Sequence, residues 1–169
     1  MSNNLKISIL HWHDIILLSK AFSEKPRSIF EQYFREQSLQ RRIAWVAFYD
    51  DEIAGYTTLV WESNYKFFKD NCIPEIMDLN VIPKFRKRGI GKILLKIAEN
   101  KAIERSNVIG LGVGLYGGED GGYSAAQRLY IKSGYIPTGN GVTYNYIDAI
   151  PGNVYRLDDD LILWLTKTL

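Results

Sequence analysis

The segment Asp78-Leu79-Asn80-Val81-Ile82-Pro83-Lys84-Phe85-Arg86-Lys87-Arg88-Gly89-Ile90-Gly91-Lys92 runs from a strand, through a basic glycine turn, into a helix. The first amides of a helix have no partner within it and point along the positive end of its dipole, and glycines let the backbone approach an anion closely. Lys84, Arg86, Lys87, Arg88 and Lys92 add positive charge at the same place, so a pyrophosphate fits the layout. A phosphate-binding P-loop is excluded, because Ile93 follows the lysine where that motif needs a metal-binding hydroxyl. A nucleic-acid patch has the charge but lacks flanking stacking aromatics. A solvated basic face with a helix-starting glycine is the remaining alternative for the segment taken alone.

Upstream, Leu5 to Leu10 reads as a strand, and Ile15, Ile16, Leu18 and Phe22 have helical spacing over His13 to Phe22. Pro26 breaks that helix, and Ser28 is the expected cap of a second one with Ile29, Phe30, Tyr33 and Phe34 on one side. Ile43 to Tyr49 and Ile53 to Trp61 flank Asp50, Asp51 and Glu52 and predict an antiparallel hairpin. Ile76 to Ile82 is a strand ended by Pro83, and Gly91 to Ser106 is a helix with Ile93, Leu94, Ile97 and Ala98 available for burial. Downstream, Val108 to Tyr116 returns to strand, and Ser124 to Ser133 is a helix stopped by Gly134. The rest carries turn signals at Gly139-Asn140-Gly141 and Pro151-Gly152 before a closing strand, Leu161 to Thr166. This order predicts an α/β fold over residues 1–169, one domain, with a mixed, mostly antiparallel central sheet and helices on both faces.

The chain of 169 residues suits one domain, and its 46% hydrophobic and 24% charged content excludes disordered and fibrous classes. A net charge of +2 gives no reason to expect a nucleic-acid or membrane partner, so electrostatics must act through local clusters. The apolar runs fall far short of the ~20 residues that cross a bilayer. The N-terminus lacks a signal-peptide layout, and the single cysteine, Cys72, cannot form an internal disulfide. A cytoplasmic protein is the expectation.

Arg86-x-x-Gly89-x-Gly91, preceded by a strand ending Leu-x-Val and by Pro83, resembles the acetyl-coenzyme A signature of the GNAT superfamily of N-acetyltransferases. Ala126-Gln127-Arg128-Leu129-Tyr130-Ile131-Lys132-Ser133-Gly134-Tyr135 resembles that superfamily's late helix, in which a Leu-Tyr pair precedes a Gly-aromatic step. With the element order, the resemblance covers most of Leu5 to Leu169. It implies that the backbone of Leu79, Asn80 and Val81 pairs with the pantetheine arm like an added strand. It further implies that Arg86, Lys87, Arg88, Gly89, Ile90, Gly91 and Lys92 hold the pyrophosphate, largely through the amides of Lys87 to Lys92. Tyr130 becomes the general acid for the departing thiolate. One residue departs from the pattern: Tyr123 stands where many members carry an asparagine, seven residues before the tyrosine, at a contact to the cofactor's arm.

Acetyl transfer needs a neutral amine, a polarised carbonyl and a proton for the leaving sulfur. An alkyl amine of pKa near 10.4 is neutral only about one time in 2,500 at pH 7, a handicap of roughly 4.6 kcal/mol that a carboxylate, or a water held by one, removes. Asp78 and Glu75 on the strand are the candidates, with Glu119 and Asp120 as loop alternatives. For Asp78 a hydrogen bond that fixes a neighbouring loop is the competing role, and for Tyr130 it is a core aromatic. Gly110, Gly112 and Gly114 leave one face of their strand bare, against which a helix or the cofactor arm packs. The Gly117-Gly118-Glu119-Asp120-Gly121-Gly122 loop is a candidate gate or a plain turn. His11 and His13 lack metal-spaced partners, so no metal is expected. Cys72 lies outside both motifs with no base beside it, which favours direct transfer over a covalent enzyme intermediate.

The combined reading is a transferase that uses acetyl-CoA as cosubstrate and a small-molecule or peptide amine as acceptor, with no nucleic acid and no membrane. A homodimer is compatible with it. Transfer of a different acyl group is the nearest variant, and a catalytically silent CoA-binding sensor or interaction module of the same fold is the contrasting class.

Overall fold

The computed structural model describes residues 5–118 and 122–169. Its elements in chain order are β1 (Leu5–Ile9), α1 (Asp14–Ala21), α2 (Arg27–Ser38), β2 (Arg42–Tyr49), β3 (Glu52–Val60), α3 (Lys66–Asp70), β4 (Glu75–Val81), α4 (Ile90–Ala102), β5 (Val108–Gly114), α5 (Ser124–Lys132), β6 (Ile136–Tyr144), β7 (Ile147–Asp148) and β8 (Leu161–Thr168). The chain is thus a mixed α/β protein with mostly antiparallel strands, as the sequence predicts. Two compact units divide it, one made of residues up to Trp61 with Ile76–Lys101 and the other of Glu62–Glu75 with Ala102–Leu169.

In the first unit the strands lie in the order β1-β2-β3-β4. Asp50 and Asp51, at φ 48° and 65°, turn β2 into β3, the left-handed pair that a two-residue hairpin requires. Side chains of successive strand residues point to opposite faces, and β3 shows what covers each. Tyr56 packs edge-on against Phe22 and Phe30, at ring distances of 4.9 and 5.4 Å, in a cluster that α1 and α2 share with Ile15, Leu18 and Val46. A Cβ on the neighbouring Gly55 would stand 3.4 Å from Leu94 of α4. Helices therefore cover both faces of this sheet. Helix α2 starts two residues earlier than a cap at Ser28 would allow. Its N-cap is Pro26, whose fixed φ of −66° with ψ 142° leads directly into Arg27 and leaves Ser28 inside the first turn.

In the second unit the order is β5-β8-β6-β7, with each pair antiparallel. The bare face of β5 is filled by aromatic rings. A Cβ at Gly110 would stand 2.2 Å from Phe68 of α3, one at Gly112 would stand 2.7 Å from Ile162 and 2.9 Å from Trp164, both of β8, and one at Gly114 would stand 2.3 Å from Tyr123. Helix α3, which the sequence reading omits, is five residues long and exists to deliver Phe68 to Gly110. The Gly139-Asn140-Gly141 turn signal lies inside β6, where it makes an irregularity instead of a turn. The glycines, at φ 84° and 79°, let the strand bulge between Pro137 and Val142 while pairing with β8 resumes on either side. Gly110→Ala is expected to destabilise the protein by about 1 to 3 kcal/mol through overpacking against the fully buried Phe68, read by denaturant unfolding; a neutral result would show that the ring moves freely.

Candidate functional site

Strand β4 carries a left-handed residue in its middle. Asp78 has φ 51°, a left-handed conformation that interrupts the regular ladder of a strand. The carbonyl of Met77 just before it accepts a hydrogen bond from the Thr58 hydroxyl at 3.2 Å. Beyond β4, the Ile82 amide donates to Ala54 O at 2.9 Å, and Pro83–Phe85 form a short 3-10 turn that buries the Phe85 ring. Arg86 Nε donates to Val81 O at 3.1 Å, tying the turn to the strand end. Lys87 at φ 61° and Gly89 at φ 80° then reverse the chain into α4. The Ile93 amide donates to Gly89 O at 3.1 Å and closes the first helical turn, so the amides of Gly89, Ile90, Gly91 and Lys92 are the ones without helical partners.

This turn fits an anion. Nothing lies within 4 Å of the position a Gly89 Cβ would take, and Arg86, Lys87, Arg88, Gly89 and Lys92 are exposed. Ile90, Leu94 and Leu95 bury the opposite side of α4 and fix its direction. Arg88 lies over the Tyr49 ring at 4.7 Å and donates to its hydroxyl at 2.9 Å, and Lys84 pairs with Glu52, so both brace the turn.

Around Asp78 the first unit assembles a polar cluster under α2. The Tyr33 hydroxyl donates to Asp78 Oδ2, and Lys25 Nζ lies 3.4 Å from Oδ1. Asn80 Nδ2 donates to the Tyr56 hydroxyl at 3.1 Å. Burial, reinforced by the Asp78 carboxylate, pushes both phenols well above the usual tyrosine range, so they remain donors at any working pH. Arg42 stacks on the Tyr33 ring at 4.4 Å and binds Glu36 at 2.6 Å and Thr58 at 2.5 Å. Asp78 itself is about one-third exposed, which leaves it open to solvent beside its two partners.

In the second unit, Tyr130 sits near the end of α5 and is buried. The helix ends in a Schellman turn. The Tyr135 amide donates to Tyr130 O and the Gly134 amide to Ile131 O, both at 3.1 Å, with Gly134 at φ 91°. The Tyr130 and Tyr135 rings, 6.1 Å apart, make the apolar contact that accompanies this cap. The Gly-aromatic step after the Leu-Tyr pair is thus the device that ends the helix and fixes the Tyr130 backbone. Tyr123 precedes α5 by one residue, about two helical turns before Tyr130. Its ring covers Gly114, and its hydroxyl donates to Asp159 at 3.0 Å. Glu75 is buried and accepts a 2.5 Å hydrogen bond from Ser63, whose oxygen also accepts from the Tyr65 amide at 2.9 Å.

A model of the acetyltransferase (GNAT) family matches residues 8–135, more than half of the chain. The chain belongs to this family. A search of the curated proteins gave no match. Among solved structures, a ribosomal-protein-alanine N-acetyltransferase from Brucella melitensis is similar at 18% identity and TM-score 0.69, with 97% of this chain and 99% of that one covered. A GNAT family acetyltransferase from Elizabethkingia anophelis with acetyl-CoA bound is 24% identical at TM-score 0.60, covering 98% and 99%. A spermidine N-acetyltransferase chimera involving Vibrio cholerae is 12% identical at TM-score 0.67, covering 97% and 95%. At these identities the likeness is one of fold.

In this GNAT protein the sequence-predicted residues Asp78, Leu79, Asn80, Val81 and Arg86 to Lys92 fall together in the first unit, whereas Glu75, Tyr123 and Tyr130 belong to the second. Glu119 and Asp120 lie outside the described residues. Sequence reasoning missed Lys25, Tyr33, Tyr56 and Arg42 as companions of Asp78. Tyr33 carries a weak signal at most, because an aromatic on the apolar face of α2 reads as core. Among the described residues no group of His, Cys, Asp and Glu is arranged to hold a metal ion, and no helix is long and apolar enough to cross a membrane.

Proposed function

We propose that this GNAT protein is an N-acetyltransferase that moves an acetyl group from acetyl-CoA directly to a primary amine of a small molecule or peptide in the cytoplasm. The observation that carries the reading is the anion-fitting turn between β4 and α4, with an exposed Gly89 and unpartnered first-turn amides following a strand that is interrupted at Asp78. The pyrophosphate binds the amides of Lys87 to Lys92, and the pantetheine arm runs back along Val81, Asn80 and Leu79. Its thioester end then arrives beside Asp78.

Asp78 accepts the proton that the acceptor amine must lose, held in place by the Tyr33 hydroxyl. Glu75, closed in by Ser63, has the weaker claim to that task. Tyr130 returns a proton to the departing sulfur. That one structural neighbour is named for ribosomal-protein alanine and another for spermidine supports an amine acceptor and leaves both small molecules and peptides open.

The test has two parts. Acetyl-CoA at about 100 times its Kd should stabilise the protein by roughly 2.7 kcal/mol, about 5 to 10 °C in Tm. Thiol release should then follow with at least one member of a panel of amines, polyamines, amino acids and peptide N-termini. Stabilisation without release to any acceptor would replace this reading with a CoA-binding sensor, and no stabilisation would remove both.

A further inference from the structure

The lysine on Asp78 belongs to the protein itself. Lys25 lies in the connection between α1 and α2, where its amide donates to Phe22 O at 3.0 Å and anchors the turn. Its ammonium stands 3.4 Å from Asp78 Oδ1, and its side chain is only a quarter exposed. Lys66 and Lys69 also pair with carboxylates, but theirs lie in or beside the same short helix and are well exposed. Lys84 pairs with Glu52 at the hairpin, on the anion end of the β4 segment. Lys25 is the lysine whose partner sits on β4 where the strand is interrupted.

We propose that Lys25 is an intramolecular acceptor, acetylated on Nζ by the protein's own bound acetyl-CoA. The proposal rests on the reading above, in which the thioester arrives beside Asp78. An amine already held against the carboxylate that removes acceptor protons needs neither capture nor orientation from solution, and both are large parts of a transfer barrier. In the step, the ammonium loses one proton to Asp78, and the neutral nitrogen attacks the thioester carbonyl. The C–N bond forms and the C–S bond breaks. Of the two protons the nitrogen gives up in total, one ends on the coenzyme A sulfur and the other in solvent, leaving an amide on Lys25 and free coenzyme A. The oxidation state of every atom is unchanged.

The experiment incubates the full chain with acetyl-CoA and no added amine, then locates and times the acetyl groups by peptide mass mapping. The expected result is acetyl at Lys25 ahead of every other lysine, at a rate constant independent of protein concentration. Asp78→Asn should slow this by about 100-fold while coenzyme A still raises Tm. Lys25→Arg, which keeps the ion pair, should carry no acetyl at that position. An unmodified Lys25 in a protein that binds acetyl-CoA and acetylates added amines overturns the proposal and leaves the function standing. Equal labelling in the Asp78→Asn variant, or a rate constant that grows with protein concentration, overturns it as well. A protein that does not bind acetyl-CoA at all overturns both.

Discussion

Replacing Tyr130 by phenylalanine is expected to lower turnover by about 100-fold or more while leaving acetyl-CoA affinity within a factor of ~3. The expectation follows from what the substitution leaves intact. Tyr130 is held by the Schellman turn through its backbone carbonyl and by its ring against Tyr135, and phenylalanine keeps both. The hydroxyl alone is removed. If that hydroxyl protonates the leaving thiolate, its loss acts on the transition state and not on ground-state binding, so kcat and kcat/KM fall together. Measuring kcat, KM and the coenzyme A Kd of both proteins checks this. A turnover unchanged within a factor of ~3 would return Tyr130 to the role of a buried aromatic and move the acid elsewhere.

What could be read from the sequence was what is local. The β2 to β3 turn follows from Asp50-Asp51, and the β4 to α4 turn follows from glycines and basic residues that adjoin one another along the chain. The end of α5 is equally local, since Gly134 and Tyr135 close a cap on the helix they follow. The features that stayed hidden depend on distant partners. Helix α3 is too short for propensity to announce it and is held by Phe68 in the space left by Gly110, some forty positions away. Gly139 and Gly141 carry the chemistry of a turn, yet pairing with β8 on both sides keeps them in a strand. At the candidate site, Asp78 was legible as a carboxylate on β4, but its left-handed φ and its contacts with Lys25 and Tyr33 were not. Those contacts come from the α1 to α2 connection and from a helix face that reads as apolar core.

The same cluster sets the largest stability effect expected here. Arg42→Ala should cost about 3 kcal/mol, at the low end of the range for breaking a buried ion pair, and lower Tm by roughly 6 to 12 °C for a chain this size. The Arg42 side chain is 8% exposed and serves Glu36, Thr58 and the Tyr33 ring at once, so no single neighbour can replace it. The low end applies because Glu36 is about one-quarter exposed and keeps a 2.7 Å hydrogen bond from Gln32, which lets its carboxylate rehydrate when the arginine is gone. Burial opposes ionisation of Glu36, but the hydrogen bonds from Gln32 and Arg42 and the arginine charges outweigh it and hold the carboxyl below its ordinary value. A depressed folded value means that this contribution is present above the unfolded carboxylate pKa and fades as pH falls through the folded one. The Arg42→Ala penalty should therefore shrink in acid. Arg42→Lys should fall between the two, because an ammonium keeps the charge but not the fork that reaches Glu36 and Thr58 together. Urea unfolding of the three proteins at neutral and acid pH checks the series. A neutral-pH cost below about 1 kcal/mol would mean that Arg42 behaves as an exposed ion pair, and would leave Tyr33 and Asp78 without the support the packing gives them.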